Sequence, residues 1–218
     1  MSQPTDWVSL LRHQQQDFIA RLESGHLISS SVSGCHSESV IISGERLKAL
    51  REFCWEMAEK YKRGSNVKST FINNLKGKLG EEIVKRCLGD FITEVDYQRK
   101  IGGDGKIDFM LSSDSSKGIQ VKTRTLKKGI DITWMVSLDE IQKNVAIACI
   151  LVEEEINEAQ TEYHLIFAGF MPTCLLSQNQ EKQSIKIDEL LYSSGIKWHL
   201  GTSINRLRRE SASQKIIQ

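Results

Sequence analysis

The chain has 218 residues, and its 29 Lys and Arg nearly balance its 28 Asp and Glu, giving a formal net charge of +1. This balance excludes a protein that binds nucleic acid over a uniformly basic surface. Hydrophobic residues make up 39% and charged residues 26%, so the chain can bury a globular core and is not wholly disordered.

The sequence also bears on the compartment. No apolar run approaches the roughly 18 residues that cross a bilayer, and the N-terminus lacks the basic-then-apolar order of a signal peptide. The five cysteines are widely spaced and form no CxxC pair, which suits a reducing compartment. We therefore expect a cytoplasmic protein that does not associate with a membrane.

The first third of the sequence predicts helices. Apolar residues recur at helical spacing from about residue 6 to Gly25 and again from Leu47 to Tyr61. The Ser-rich stretch 29–39 between them predicts a loop. We assign residues 1–68 to an N-terminal helical segment that serves dimerisation or DNA contact, and residues 69–218 to the main domain.

From residue 70 the pattern changes to a helix followed by strands. Residues 75–90 predict a helix that stops at Gly89. Three segments rich in β-formers follow, separated by turn signals, and predict a meander. They are ITEVDYQRK, GKIDFMLSS and KGIQVKTRT.

The last part of the chain predicts further strands. Residues 130–137 are compatible with a continuation of the sheet, and residues 138–144 with one or two helical turns. Residues 144–154 and 161–170 predict a buried hairpin. The basic tail, residues 204–218, predicts a helix that frays at its end.

Strand alternation groups polar side chains in the middle of the chain. Asp108 points away from its apolar neighbours in the second strand of the meander, and Gln120 and Lys122 share one face of the third. One arrangement of the hairpin places all three on a single face. A second acid is still required, and Glu81 or Glu82 on the preceding helix is the nearest candidate.

This group of side chains suits phosphodiester hydrolysis. A carboxylate oxygen, with a backbone carbonyl and waters, holds a hard divalent cation that polarises the phosphate and activates water. A lysine orients or deprotonates that water and offsets the negative charge that builds in the transition state. The alternative for Asp108 and Lys122 is an ordinary cross-strand ion pair.

The order KGKLGEEIV, then GDGKIDF, then IQVKTR resembles the PD-(D/E)xK nuclease superfamily, in its variant with Gln before the spaced lysine. The resemblance covers roughly residues 70–170. It implies an α/β (α+β) fold with a restriction-endonuclease-like core, in which a central mixed β-sheet is flanked by helices, with the N-terminal helical segment added. In that core a helix bearing a Glu precedes a three-stranded meander, a second helix and a further strand.

The resemblance also implies roles for individual residues. Asp108 and Glu81, with Val121 between the paired polar residues, would bind Mg²⁺ or Mn²⁺. Gln120 occupies the second acidic position and Lys122 is the catalytic lysine. The family's Gly-Glu pattern favours Glu81, although helical position alone does not separate it from Glu82.

Two departures from the family pattern stand out. Ile107 precedes the aspartate where many members have proline, and Gln120 is neutral where most members have an acid. An amide oxygen is a weak metal ligand, so Gln120 is also the best support for a protein that has lost catalysis.

The net charge conceals two segments of opposite sign. Residues 115–130 hold five Lys or Arg and no acid, and residues 138–162 hold seven acids and one Lys. We expect a basic cleft at the catalytic strand, with the acidic segment facing away from DNA. Arg124, Lys127 and Lys128 are the predicted DNA contacts, with an ion pair or a solvated turn as the alternatives.

These observations predict a Mg²⁺-dependent endonuclease that hydrolyses DNA, is restriction-like, and serves defence or mobile-element transfer, with homodimerisation expected. The alternative is a catalytically weak or inactive nucleic-acid-binding subunit of a larger complex. A third hypothesis is a structural or regulatory protein in which the meander is only scaffold.

Overall fold

A computed structural model describes residues 6–30, 32, 35–60, 66–94, 107–127 and 131–202. It has four α-helices and eight strands in these residues. The helices are α1 (Asp6–Ser24), α2 (Gly44–Lys60), α3 (Val67–Leu88) and α4 (Leu138–Lys143). The strands are β1 (Ser39–Ser43), β2 (Ile92–Glu94), β3 (Phe109–Leu111), β4 (Asp114–Thr125), β5 (Thr133–Ser137), β6 (Asn144–Val152), β7 (Glu162–Pro172) and β8 (Lys182–Lys186).

Six of the strands form one mixed sheet that is flanked by helices. Its order is β1-β7-β6-β4-β3-β2, and β5 and β8 form a separate two-stranded sheet. Within the large sheet β4 and β6 are parallel, and the other neighbours are antiparallel. The parallel pair needs a crossover, which β5 and α4 provide. The predicted meander and the predicted hairpin of β6 and β7 are both confirmed.

Helix α3 is confirmed, and it begins earlier than the sequence indicated. The side chain of Asn66 caps its first turn by accepting a hydrogen bond from the Lys68 N–H. Gly89 ends it with a φ of 50°, a conformation that favours glycine. Its buried residues recur three and four positions apart, so one broad face lies in the core. They are Phe71, Leu75, Leu79, Gly80, Ile83, Val84 and Leu88.

Three sequence predictions were wrong in detail. Strand β1 was missed because it is a short edge strand whose partners, on β7, lie more than 100 residues away. Strand β4 starts at Asp114, inside the stretch that was predicted to be a turn. Strand β5 does not continue the main sheet, since it pairs with β8. The predicted tail helix lies outside the described residues.

The predicted division of the chain at residue 68 stays a prediction. Strand β1, which precedes that boundary, is an edge strand of the main sheet and pairs with β7 from Ser39 to Ser43. Among the described residues, no helix has the length and apolar character needed to cross a membrane.

Helix α3 approaches strand β4 very closely at Gly80. A Cβ atom added to Gly80 would lie 1.9 Å from Thr123 Oγ1 and 3.1 Å from Thr123 Cβ. Only a residue without a side chain allows this distance, because the interior is close-packed. The glycine therefore sets how near the following residue, Glu81, can come to the sheet.

Replacing this glycine should destabilise the protein. We expect Gly80→Ala to lower the free energy of unfolding by about 1–3 kcal/mol, since the added methyl group pushes α3 away from β4. Gly77→Ala in the same helix is the matched control: nothing lies within 4 Å of its added methyl group. That change should raise stability by about 0.5–1 kcal/mol. Urea unfolding measures both, and equal stability of the two variants would contradict the close approach.

Candidate active site

Asp108 lies just before β3, where its backbone extends the β3–β4 pairing. Its backbone N–H donates to the carbonyl oxygen of Ile119 at 3.1 Å. Its carboxylate oxygen Oδ2 accepts a hydrogen bond from the backbone N–H of Val121 at 2.7 Å. The carboxylate is thus fixed beside the residue that lies between Gln120 and Lys122.

Glu81 reaches the same region from helix α3. Its carboxylate forms an ion pair with Lys78, one turn earlier in the helix, and its side chain is 18% exposed. The Asp108 carboxylate acts electrostatically on Glu81, and the Lys78 ammonium acts on both acids. The structure therefore brings Glu81, Lys78 and Asp108 into one electrostatic group.

Burial raises the pKa values of both acids. It raises the pKa of Glu81 to about 7, against the opposing effect of Lys78 and with a further increase from Asp108. It raises the pKa of Asp108 to about 6, although the Val121 N–H and the ammonium groups of Lys78 and Lys122 oppose the change. Two partly buried acids whose charge is incompletely neutralised are a typical setting for a bound cation.

Lys122 contacts a carboxylate that the sequence analysis did not consider. Its Nζ lies 2.6 Å from Oε1 of Glu140 on α4, and the two side chains are 24% and 8% exposed. Glu140 belongs to the acidic segment and contacts the strand predicted to be catalytic, whereas the expectation that this segment faces away from DNA stays a prediction. The Ser137-x-x-Glu140 spacing is visible in the sequence as a helix-start signal, but it gives no indication of the partner on β4.

Gln120 lies buried on β4, with 6% of its surface exposed. Its Oε1 atom has no hydrogen-bond partner among the described residues. A buried amide oxygen without a donor is destabilising, since it has lost its water and gained no replacement. A cation or an ordered water would satisfy it.

The alternative glutamate on α3 has a different environment. Glu82 forms an ion pair with Arg46 on α2, with a second contact of 2.7 Å from Arg46 Nε. Lys85, which lies four residues after Glu81 on the helix, contacts Glu94 on β2. The geometry therefore favours Glu81 over Glu82 as the acid near Asp108.

The predicted DNA-contacting residues lie at the end of β4. Arg124 donates a hydrogen bond from Nη1 to the carbonyl oxygen of Thr133 at 2.7 Å. One nitrogen of its guanidinium group is therefore bonded to the first residue of β5. Lys127 is exposed, and Lys128 lies outside the described residues. Lys76 on α3, which sequence reasoning missed, joins this group: burial and the nearby charges of Arg124 and Lys127 lower its pKa.

A second cluster of ionisable side chains lies where β6 ends and β7 begins. Among the described residues, Glu153, Glu154 and His164 form a group whose ligand atoms lie within 4.8 Å of one another. Glu154 already pairs with the His164 ring and accepts the His164 backbone N–H at 2.8 Å. These internal contacts account for the cluster without an ion.

Comparison with protein-family models, with curated proteins and with solved structures returns no match to this chain.

The raised pKa of Glu81 predicts a specific pH dependence of stability. Its folded value of about 7 exceeds the ordinary value of 4.5, so folding favours the protonated acid, and stability should fall as the pH rises from about 4.5 to 7. Glu81→Gln should remove this fall in stability, because glutamine does not titrate. The difference in the free energy of unfolding, variant minus wild type, should become more positive by on the order of 2 kcal/mol between pH 4.5 and pH 8.

Urea unfolding at a series of pH values, without divalent cations, measures this difference. A difference that stays constant with pH would show that Glu81 titrates normally and would contradict its burial beside Asp108.

Proposed function

We propose that this protein is a metal-dependent endonuclease that hydrolyses phosphodiester bonds in DNA. The observation that carries the proposal is that two partly buried acids, Glu81 on a helix and Asp108 just before a strand, belong to one electrostatic group with Lys122 on the next strand. The observed order of α3, the β2–β3–β4 meander, α4 and β6 supports it, since the resemblance to the PD-(D/E)xK superfamily implies that order.

The residues present fit a divalent cation such as Mg²⁺ or Mn²⁺. Glu81 and Asp108 are carboxylates with incompletely neutralised charge, and Gln120 supplies a buried oxygen that lacks a donor. Hard cations prefer such oxygen ligands. Glu81, Asp108 and the backbone carbonyl of Val121 would hold the ion, with Gln120 completing the site.

When bound, the ion supplies positive charge that polarises the phosphate and lowers the pKa of the attacking water. The chain's own residues position the reactants. The Val121 N–H fixes the Asp108 carboxylate, and Lys122 offsets the negative charge that develops on the phosphate. Water adds to phosphorus, the bond to the 3′ oxygen breaks, one water proton passes to solvent, and the 3′ oxygen takes up a proton. The products are a 5′-phosphate and a 3′-hydroxyl.

The basic group at the end of β4 suits the polyanion that such a reaction requires. Arg124 and Lys127 lie close enough to Lys76 to act on it electrostatically. Lys76 and Glu81 are five residues apart on one helix, which places them about 7.5 Å apart along its axis. We propose that these residues contact phosphates beside the one that is cleaved, and that the protein acts as a homodimer on duplex DNA.

One observation favours a second candidate, a nucleic-acid-binding subunit without strong catalysis. Each lysine near the acids already has a carboxylate partner, since Lys78 pairs with Glu81 and Lys122 with Glu140. Such ion pairs are expected if the lysines only stabilise the fold. Gln120 is also neutral at the position where most members of the superfamily have an acid. Such a protein would bind DNA and leave it intact.

Cleavage assays distinguish the two candidates. We expect the purified protein with MgCl₂ or MnCl₂ to nick or cut at least one substrate in a panel of duplex, branched and single-stranded DNA. Lys122→Ala should lower the rate by about 100-fold or more, since removing one charge-stabilising donor typically costs that much. Lys48→Ala is the matched control, because Lys48 on α2 is 64% exposed and should leave the rate unchanged within about twofold.

The proposal fails if the wild type and Lys122→Ala give the same residual cleavage across the panel. DNA binding without cleavage by the wild type would support the second candidate.

A further inference from the structure

Glu140 on helix α4 is held in place by the start of its own helix. Its Oε2 atom accepts hydrogen bonds from the Ser137 backbone N–H at 2.8 Å and from the Ser137 hydroxyl at 3.0 Å. The Ser137 hydroxyl in turn accepts the Glu140 backbone N–H at 3.4 Å. This reciprocal capping box leaves the side chain little rotational freedom.

The second oxygen of the same carboxylate is directed at Lys122. Glu140 Oε1 lies 2.6 Å from Lys122 Nζ, and the glutamate side chain is 8% exposed. A lysine side chain has four rotatable bonds and takes up one position only when a partner holds it. The backbone N–H of Ser137 holds the Glu140 carboxylate, and this contact does not depend on the Ser137 side chain. The Glu140–Lys122 pair therefore transmits the rigidity of α4 to the ammonium group on β4.

We propose that Glu140 is the positioning residue for Lys122, holding its ammonium group beside the Asp108 carboxylate. This inference rests on the proposed nuclease function and specifies the role of Lys122 in it. An ammonium group has no lone pair with which to accept a proton, so Lys122 stabilises charge and does not deprotonate the water. The proton of the attacking water passes to solvent.

Two variants separate positioning from capping. In Glu140→Gln, the amide oxygen can still accept the Ser137 N–H, while the amide NH₂ then faces Lys122 and the ion pair is lost. In Ser137→Ala, the hydroxyl of the cap is lost while the Glu140 carboxylate and its contact with Lys122 remain. Both variants weaken the start of α4, but only the first one releases the lysine.

The kinetic test follows steady-state cleavage of the DNA that the wild type cuts, with MgCl₂. Glu140→Gln should lower kcat by about 10- to 100-fold and leave KM for DNA unchanged within about twofold. Ser137→Ala should lower the midpoint of thermal unfolding and keep kcat within about twofold of the wild type. An unchanged kcat in Glu140→Gln, or an equal loss in Ser137→Ala, would overturn the proposal.

A second measurement does not depend on activity. Urea unfolding of the wild type, Lys122→Met, Glu140→Gln and the double variant, without metal, forms a double-mutant cycle. The two changes should be coupled by a factor of about 5 or more in the folding equilibrium constant. If the wild type cuts no DNA, the nuclease proposal fails, whereas additive effects in this cycle overturn the positioning role of Glu140 itself.

Discussion

The close approach of helix α3 to strand β4 is the constraint on which the candidate site depends. Gly80 allows the helix backbone to lie directly against Thr123. The next residue of the helix, Glu81, then lies within electrostatic reach of Asp108. A larger residue at position 80 would move α3 away from the sheet. It would thereby move Glu81 away from Asp108.

The site gathers charge from several elements of the fold. Helix α3 contributes Glu81 and Lys78, the start of β3 contributes Asp108, β4 contributes Lys122, and α4 contributes Glu140. The group contains one more carboxylate than ammonium. Its burial raises the pKa values of Asp108 and Glu81, which lowers the free-energy cost of protonating them and favours any cation that replaces the proton.

Local patterns made much of this arrangement predictable. The period of two in a strand grouped Gln120 with Lys122, and the turn signals between apolar segments predicted the meander. Gly89 at the end of α3 is also a local signal, so the end of that helix could be recognised, whereas its capping residue Asn66 was missed.

Contacts between distant parts of the chain could not be predicted in the same way. Lys122 and Glu140 are separated by 18 residues, and their contact depends on where the β5–α4 crossover returns to the sheet. Lys85 was available to Glu81 by helical spacing, yet it pairs with Glu94 on β2 because the turn after α3 brings that residue back. Strand β1 was missed for a related reason, since its pairing with β7 has no signal in its own five residues.

Whether Glu81 and Asp108 form one cation site can be determined by anomalous X-ray diffraction from crystals grown with MnCl₂. We predict an anomalous peak with oxygens of both carboxylates about 2.0–2.3 Å away, in the range for hard divalent cations. Crystals of Glu81→Gln should lose that peak. A peak found only beside Glu153, Glu154 and His164, or no peak beside Asp108, would contradict the account.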